Sequence, residues 1–457
     1  MRRTLLAAAF VLGGFVPAAQ AELTVGATRS AQPREGLTLR EEPKPLGKKL
    51  RTLPYGTPVK VLETKELWAR VEAAGGGPGW ARSSEIVEPT SLTGAAAYRG
   101  TLSSADVTAA GRQFSEKIEK TYRTMAPQLN TVYPLVDQIE REQPTDAEVE
   151  AFIAEGKLGA ADQAVVVEAA ANVIPAGAAD DRGPMLRPVT DEDFVKRILM
   201  GFSPEQEYWL GRSVAAQAIA EFGLDPDPAR QALVRKVGQS VVMLSDRARQ
   251  TWGGYHFAVL NSDTANGIAG PGGFILVTRG AVAMARNEEE LAGLLAHEIG
   301  HVSRKHGEAM IRQRHDWQAQ MVKLRDAAEK PPRMRGECGL CAEMAKALGV
   351  ASKGLVGQLG KESYAKDFEF QADMDGTLTL LEVGYRVGGI AEYLEQVPSR
   401  KDTRWTTHPD SADRIAALKP LVDKYGHPID QDAAAQARRS RFLAVAGAST
   451  PATPGKP

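Results

Sequence analysis

Between residues 30 and 90 apolar and polar positions alternate between turn signals: Leu37-Thr38-Leu39-Arg40, Pro54-Tyr55-Gly56-Thr57, Val59-Lys60-Val61-Leu62, Trp68-Ala69-Arg70-Val71 and Gly79-Trp80-Ala81. Successive side chains of a strand face opposite ways, so short runs of period two at this spacing predict a small β-barrel. From about 103 to 160 the period changes. Phe114, Ile118 and Tyr122 recur four apart, and Thr145-Asp146-Ala147-Glu148 behind Pro144 makes a capping box, so this stretch predicts helices. Residues 159–187, rich in Ala, Gly and Asp, read as a mobile connection. Ser203, Pro204 and Gln206 open a further helix. Tyr255 to Leu260 and Phe274 to Thr278 read as strands flanking a Gly-rich loop. A long helix follows. Asn287 caps it, and Glu288, Glu289 and Glu290 fill the first turn, where the dipole favours acids. Arg304, Lys305 and His306 fill its last turn, with Gly307 as terminator. Tyr364 to Asp373 reads as another helix, and the tail from 431, rich in Ala, Pro and Arg, as disordered.

The long helix carries His297-Glu298-Ile299-Gly300-His301. Residues four apart on an α-helix leave the same face, offset by roughly 6 Å, so both imidazoles can reach one tetrahedral zinc ion. Glu298 leaves about 100° away, placed to hydrogen-bond a water beside the metal without being a ligand. Zinc brings the pKa of its water towards neutrality, and an adjacent carboxylate can take the proton. Catalytic zinc uses three protein ligands. Glu369 and Asp373, four apart on the second helix, form an ordinary solvated acidic face when taken alone; placed downstream of the two His they are expected to supply a third ligand and an acceptor for the far nitrogen of a ligand His.

Composition changes the picture little. The 457 residues suffice for about three units, and a net charge of -1 makes no electrostatic case for nucleic acid or an anionic membrane surface. Residues 1–21 follow a signal-peptide plan: Arg2 and Arg3, an apolar run from Leu5 to Val16, and Ala19-Gln20-Ala21 for cleavage. Glu22 rather than Cys follows, so a lipoprotein is not expected, and no later run is long and apolar enough to span a bilayer. The expected division is signal peptide 1–21, β domain 22–92, helical spacer and linker 93–189, peptidase domain 190–430 and disordered tail 431–457. The mature chain is expected in a bacterial periplasm. Cys338 and Cys341, the two cysteines, are expected to form a local disulfide. His256 reads as solvent-facing on its strand, His306 as off the ligand face, and His315 and His427 lack a supporting constellation.

The pair His297-Glu298-Ile299-Gly300-His301 and Glu369-Phe370-Gln371-Ala372-Asp373 resembles the HExxH…ExxAD motifs of the gluzincin family. That family holds the CAAX prenyl proteases, the heat-shock protease HtpX, the Oma-type proteases and soluble periplasmic proteases of outer-membrane quality control. Asn266-Gly267-Ile268-Ala269-Gly270-Pro271-Gly272-Gly273 is similar to its Asn-Ala-Phe-Ala-x-Pro-Gly-Gly segment, with Gly267 and Ile268 departing from Ala-Phe. Thr407-His408-Pro409 and Arg414 resemble its His-Pro segment, and Ser203 to Ser213 its opening helix. The likeness covers about 195–425. It implies a multidomain chain in which a mainly helical α+β zincin domain follows a small all-β barrel. It also implies one Zn²⁺ held by His297, His301 and Glu369, with Asp373 behind them and Glu298 as the base. Asn266, Gly272 and Gly273 would bind substrate at an exposed strand edge. His408 or Arg414 would stabilise the oxyanion, and His408 could alternatively cap the metal. The N-terminal unit resembles a bacterial SH3-like domain, where Trp68 and Trp80 form either a surface for a cell-wall or protein ligand or part of the packing. The implied function is an exported zinc endopeptidase acting on misfolded or stalled envelope proteins. The alternatives are a non-catalytic zinc-containing chaperone or cell-wall adaptor, and a cell-wall peptide hydrolase.

Overall fold

The computed structural model describes residues 23–65, 68–87, 115–159, 165–166, 168–170, 202–329, 339–359, 366–397 and 410–446. The N-terminal strands are β1 (Thr28–Ala31), β2 (Leu37–Arg40), β3 (Lys49–Leu53), β4 (Pro58–Lys65), β5 (Trp68–Glu72), β6 (Gly79–Arg82) and β7 (Ile86–Val87). They form one antiparallel sheet in the order β3-β2-β6-β5-β4-β1-β7, an SH3-like unit. The alternation decides the register: Leu37, Leu39, Val59, Val61, Val71 and Ala81 turn inward, and Lys60 and Arg70 turn out.

This unit is anchored to the rest of the chain. Trp68 is buried, and its indole Nε1 lies 3.3 Å from Asp246 Oδ2. Arg82 pairs with the same carboxylate at 3.1 Å and donates to the Met243 carbonyl at 2.7 Å. Arg34 donates to the Tyr208 hydroxyl at 2.8 Å and lies over the Trp252 ring. Packing is thus the role of Trp68.

The second unit is mainly helical. Its elements run α1 (Glu116–Met125), α2 (Tyr133–Arg141), α3 (Asp146–Glu155), α4 (Pro204–Phe222), α5 (Pro228–Leu244), β8 (His256–Leu260), β9 (Gly267–Gly270), β10 (Phe274–Thr278), α6 (Arg279–Met284) and α7 (Glu288–Ser303). Then follow α8 (His306–Gln313), α9 (His315–Glu329), α10 (Gly339–Leu359), α11 (Lys366–Val383), α12 (Gly389–Leu394), α13 (Ser411–Tyr425) and α14 (Ala433–Ala446). Both capping boxes form, at Thr145 and Ser203. The spacer helices pack on α4 through Arg212, which meets Glu119 at 2.8 Å and Asp137 and Glu140 at 2.6 Å. No helix among the described residues is long and apolar enough to cross a membrane.

Four expectations need correction. The Gly-rich loop itself holds a strand: β9 pairs antiparallel with β10, which pairs parallel with β8, leaving β9 at the edge. His256 is buried, its ring centroid 4.6 Å from that of Phe274, because both faces of β8 are covered. The long helix ends three residues before His306. Lys305 takes the left-handed conformation (φ 56°), the helix-ending role usual for glycine, and its ammonium pairs with Glu207, which offsets the strain. The described part of the tail is helical: α14 is held by two buried ion pairs, Arg438 to Glu289 at 2.6 Å and Arg441 to Glu288. The acids of the first turn of α7 are therefore partners of the tail as well as complements of the dipole.

Helix α7, which carries His297 to His301, lies in the middle of the unit, buried from Glu288 to Val302. It meets α11 at very short range because glycine faces backbone on both sides. A Cβ at Gly376 would sit 3.0 Å from the His297 nitrogen, and one at Gly300 3.1 Å from the Ala372 carbonyl oxygen. This approach brings the two motifs together.

Candidate metal centre

One turn of α7 presents His297 and His301, and the first turns of α11 present Glu369 and Asp373. The Nε2 atoms of His297 and His301 are 3.0 Å apart. Glu369 Oε2 lies 3.7 Å from His297 Nε2, and Oε1 3.6 Å from His301 Nε2. Atoms bound tetrahedrally at roughly 2.0–2.1 Å stand about 3.3 Å apart, which this spacing brackets. Among the described residues these three form the group of His, Cys, Asp and Glu side chains able to hold a metal ion. All three are buried. Two imidazoles and a carboxylate turned on one point offer it lone pairs, so the donor set fits a divalent cation.

Behind His297 stands an ion-paired carboxylate. Asp373 Oδ1 is 2.9 Å from His297 Nδ1, and Arg414 holds both oxygens of Asp373 at 2.6 Å. Burial works against charge on Asp373, yet the guanidinium beside it holds its carboxyl far below the usual range. Burial likewise disfavours a charged His297, and the Asp373 hydrogen bond outweighs it, raising the ring above the ordinary histidine value. A carboxylate here accepts the Nδ1 proton and leaves Nε2 bearing its lone pair.

Arg414 departs from its expected place. Besides Asp373 it has Nη1 3.1 Å from Glu369 Oε2, so Nε, Nη1 and Nη2 are each engaged with a carboxylate of the centre. Glu298 is buried, with its carboxylate against the edge strand: a Cβ on Gly267 would come within 2.1 Å of Glu298 Oε1. Asn266 precedes β9 and donates its backbone N–H to Thr278 Oγ1 at 3.0 Å. Gly272 (φ 70°) and Gly273 (φ 96°) make the turn into β10. A Cβ on Gly272 would strike the Tyr208 backbone of α4 at 2.6 Å, and one on Gly273 the Gly254 carbonyl at 2.5 Å in the loop before β8, so each glycine allows a close approach of backbone. His408 lies outside the described residues. Cys341 is disulfide-bonded; Cys338, the other cysteine, lies outside them too. His427 pairs with Asp432 at 3.0 Å and takes no part in the centre.

Side chains that the sequence reading passed over complete the centre. His306 is buried with Nδ1 2.9 Å from His301 Nδ1, and Gln371 meets its other nitrogen. Gly376, seven residues after Glu369 and so on the same helix face, is the readable signal for the close approach of α7 and α11.

Comparison with known proteins bears on this geometry. Residues 228–422 match Peptidase family M48, and residues 35–87 match Bacterial SH3 domain. The chain carries an M48 peptidase domain. The M48 match runs from the start of α5 into α13, takes in every described residue of the centre, and supports a metallopeptidase at the level of the family. Over 236 residues the chain is 26% identical to a beta-barrel assembly-enhancing protease of Yersinia pestis, covering 48% of this chain and 46% of that one. Over 235 residues it is 24% identical to the protein of the same description from Escherichia coli K12, covering 48% and 45%. The chain thus spans less than half the length of these relatives.

Proposed function

We propose that this chain is an exported, zinc-dependent endopeptidase that cleaves proteins of the bacterial envelope. The observation that carries the reading is the convergence of His297, His301 and Glu369 on one point, with Glu298 beside it and edge strand β9 against Glu298. Zn²⁺ held by those three side chains would supply a polarised water and a Lewis acid for the scissile carbonyl. Glu298 takes the proton of the attacking water and returns it to the leaving nitrogen. Asp373 fixes the ring of His297, and Arg414 fixes Asp373. The peptide group of a substrate is cleaved where β9 passes the Glu298 carboxylate.

Export to a periplasm is supported by the arginines, apolar run and Ala-x-Ala of residues 1–21. Envelope proteins that assemble as β-barrels are supported as substrates by the description of the relatives as beta-barrel assembly-enhancing proteases; misfolded or stalled ones are the reading that the family resemblance adds. His408 enters from its place before Pro409 and Arg414 alone. As oxyanion donor its loss lowers activity; as a cap on the metal its loss raises it.

The test is metal analysis of the purified chain, then casein and peptidoglycan digestion side by side. Zinc at one per chain with casein cleavage supports the proposal. Peptidoglycan cleavage alone would make it a cell-wall hydrolase, and zinc without either activity a non-catalytic zinc protein.

A further inference from the structure

Behind His297 stands a charged partner, whereas the far nitrogen of His301 meets a neutral relay. His306 begins α8 directly after the left-handed Lys305, which turns its ring back beneath the helix it has just left. The ring is held in three ways. Its Nδ1 lies 2.9 Å from His301 Nδ1, its Nε2 lies 3.0 Å from Gln371 Oε1, and its face stacks on Phe368 with centroids 4.2 Å apart and planes 4° from parallel.

The hydrogen-bond sense follows from the chemistry of the groups. An amide oxygen only accepts, so His306 Nε2 carries the proton and donates it to Gln371. A neutral imidazole with Nε2 protonated has its lone pair on Nδ1. Nδ1 therefore accepts from His301, whose proton must sit on its own Nδ1. The Nε2 of His301 is left with its lone pair, turned towards His297 Nε2 and Glu369. The opposite sense would put a proton on His301 Nε2 and spoil it as a ligand.

We infer that His306 and Gln371 are positioning residues that set the tautomer and ring angle of His301, the neutral counterpart of Asp373 and Arg414 behind His297. This rests on the metal reading above. Two consequences follow from the difference in charge. The relay orients His301 without adding a fourth carboxylate to a pocket that already holds Glu298, Glu369 and Asp373. It also lends His301 less basicity than an anion lends His297, so the two imidazoles are unequal ligands.

The test uses the full chain, stripped of metal and reloaded, with zinc affinity read by competition against a chromogenic chelator and ligand geometry by the visible spectrum of the cobalt(II) form. His306→Phe keeps a flat ring on Phe368 but has no nitrogen. It is expected to lose ~10–100-fold in zinc affinity and to change the cobalt spectrum. His306→Asn, whose amide oxygen can take the place of Nδ1, is expected to recover most of the affinity. Gln371→Leu, which leaves His306 in place but frees its tautomer, should fall between. Wild-type affinity and an unchanged spectrum in His306→Phe overturn the inference, as does an Asn variant no better than Phe. If His306→Phe fails to fold, Gln371→Leu decides, and wild-type affinity there overturns the relay. A wild-type chain that takes up no zinc sinks the metal reading itself, a result distinguishable from failure of the relay alone.

Discussion

Arg414 grips Asp373 with two parallel hydrogen bonds, Nε to Oδ2 and Nη2 to Oδ1, each 2.6 Å long. The fork matches the carboxylate as only guanidinium can, and it keeps Asp373 ionised in a site that burial would otherwise neutralise. The partner of His297 therefore stays an acceptor across the working pH range. Arg414→Lys keeps the charge and loses the fork. It is expected to weaken zinc binding by ~10–100-fold, as loss of a group behind a ligand does. Chelator competition measures this, and an unchanged affinity would return Arg414 to the oxyanion role that its place in the sequence suggested.

Glu298→Gln should keep zinc and fold while losing at least ~100-fold in peptide hydrolysis, because the amide cannot accept the proton of the attacking water. Metal content and casein turnover on one preparation decide it. Full zinc with undiminished turnover removes Glu298 from the reaction.

The contrast between these two residues shows what was readable beforehand. Spacing alone places His297, Glu298 and His301, because helical geometry is local, and the alternation of residues 30–90 yields the SH3-like sheet for the same reason. Arg414 and His306 could not be read that way. Their roles depend on the packing of α13 and α8 against α11 and α7, and a period records only the face of its own helix. β9 was hidden because Gly-Ile-Ala-Gly has little strand propensity, and only pairing with β10 makes it one. The tail failed for a related reason: its composition favours disorder, and partners 149 and 153 residues away overrule it.

Gly267 is where the edge strand passes Glu298, and a Cβ there would meet the carboxylate at 2.1 Å. Gly267→Val should turn Glu298 aside and lower turnover by ~10-fold or more, since a misplaced base loses its reach to the water. Zinc content should not move. Normal turnover in a folded, zinc-loaded Gly267→Val variant would show that the Glu298 carboxylate works from another position.

His256 makes the fold sensitive to acid. Burial first, against the weak pull of Glu140, brings its pKa down to about 4 from an ordinary 6.5. The unfolded chain then binds a proton that the folded chain refuses, so stability is full above about 6.5 and falls as pH drops towards 4. The whole window is worth about 3 kcal/mol at most. In metal-free protein, urea unfolding at pH 7 and pH 5 should show a smaller difference for His256→Phe than for wild type. Equal differences in the two proteins would mean that His256 finds water when it is protonated.

Arg438 and Glu289 are both almost wholly enclosed, 1% and 0% exposed, and their ion pair joins the tail to the first turn of the active-site helix. Removing one partner of such a pair strands the other's charge, which costs about 3–5 kcal/mol, whereas replacing both can be nearly neutral. Arg438→Met should therefore destabilise the peptidase unit strongly and loosen the start of α7. Adding Glu289→Gln to it should restore much of the loss, because the amide oxygen so introduced can still accept the Arg386 backbone N–H that Glu289 Oε2 now accepts at 2.8 Å. Denaturant unfolding of wild type, the two single variants and the double variant gives the coupling directly. A coupling near zero would mean that α14 is held by its apolar side, Phe442 in the core, and that the buried charges only tolerate each other.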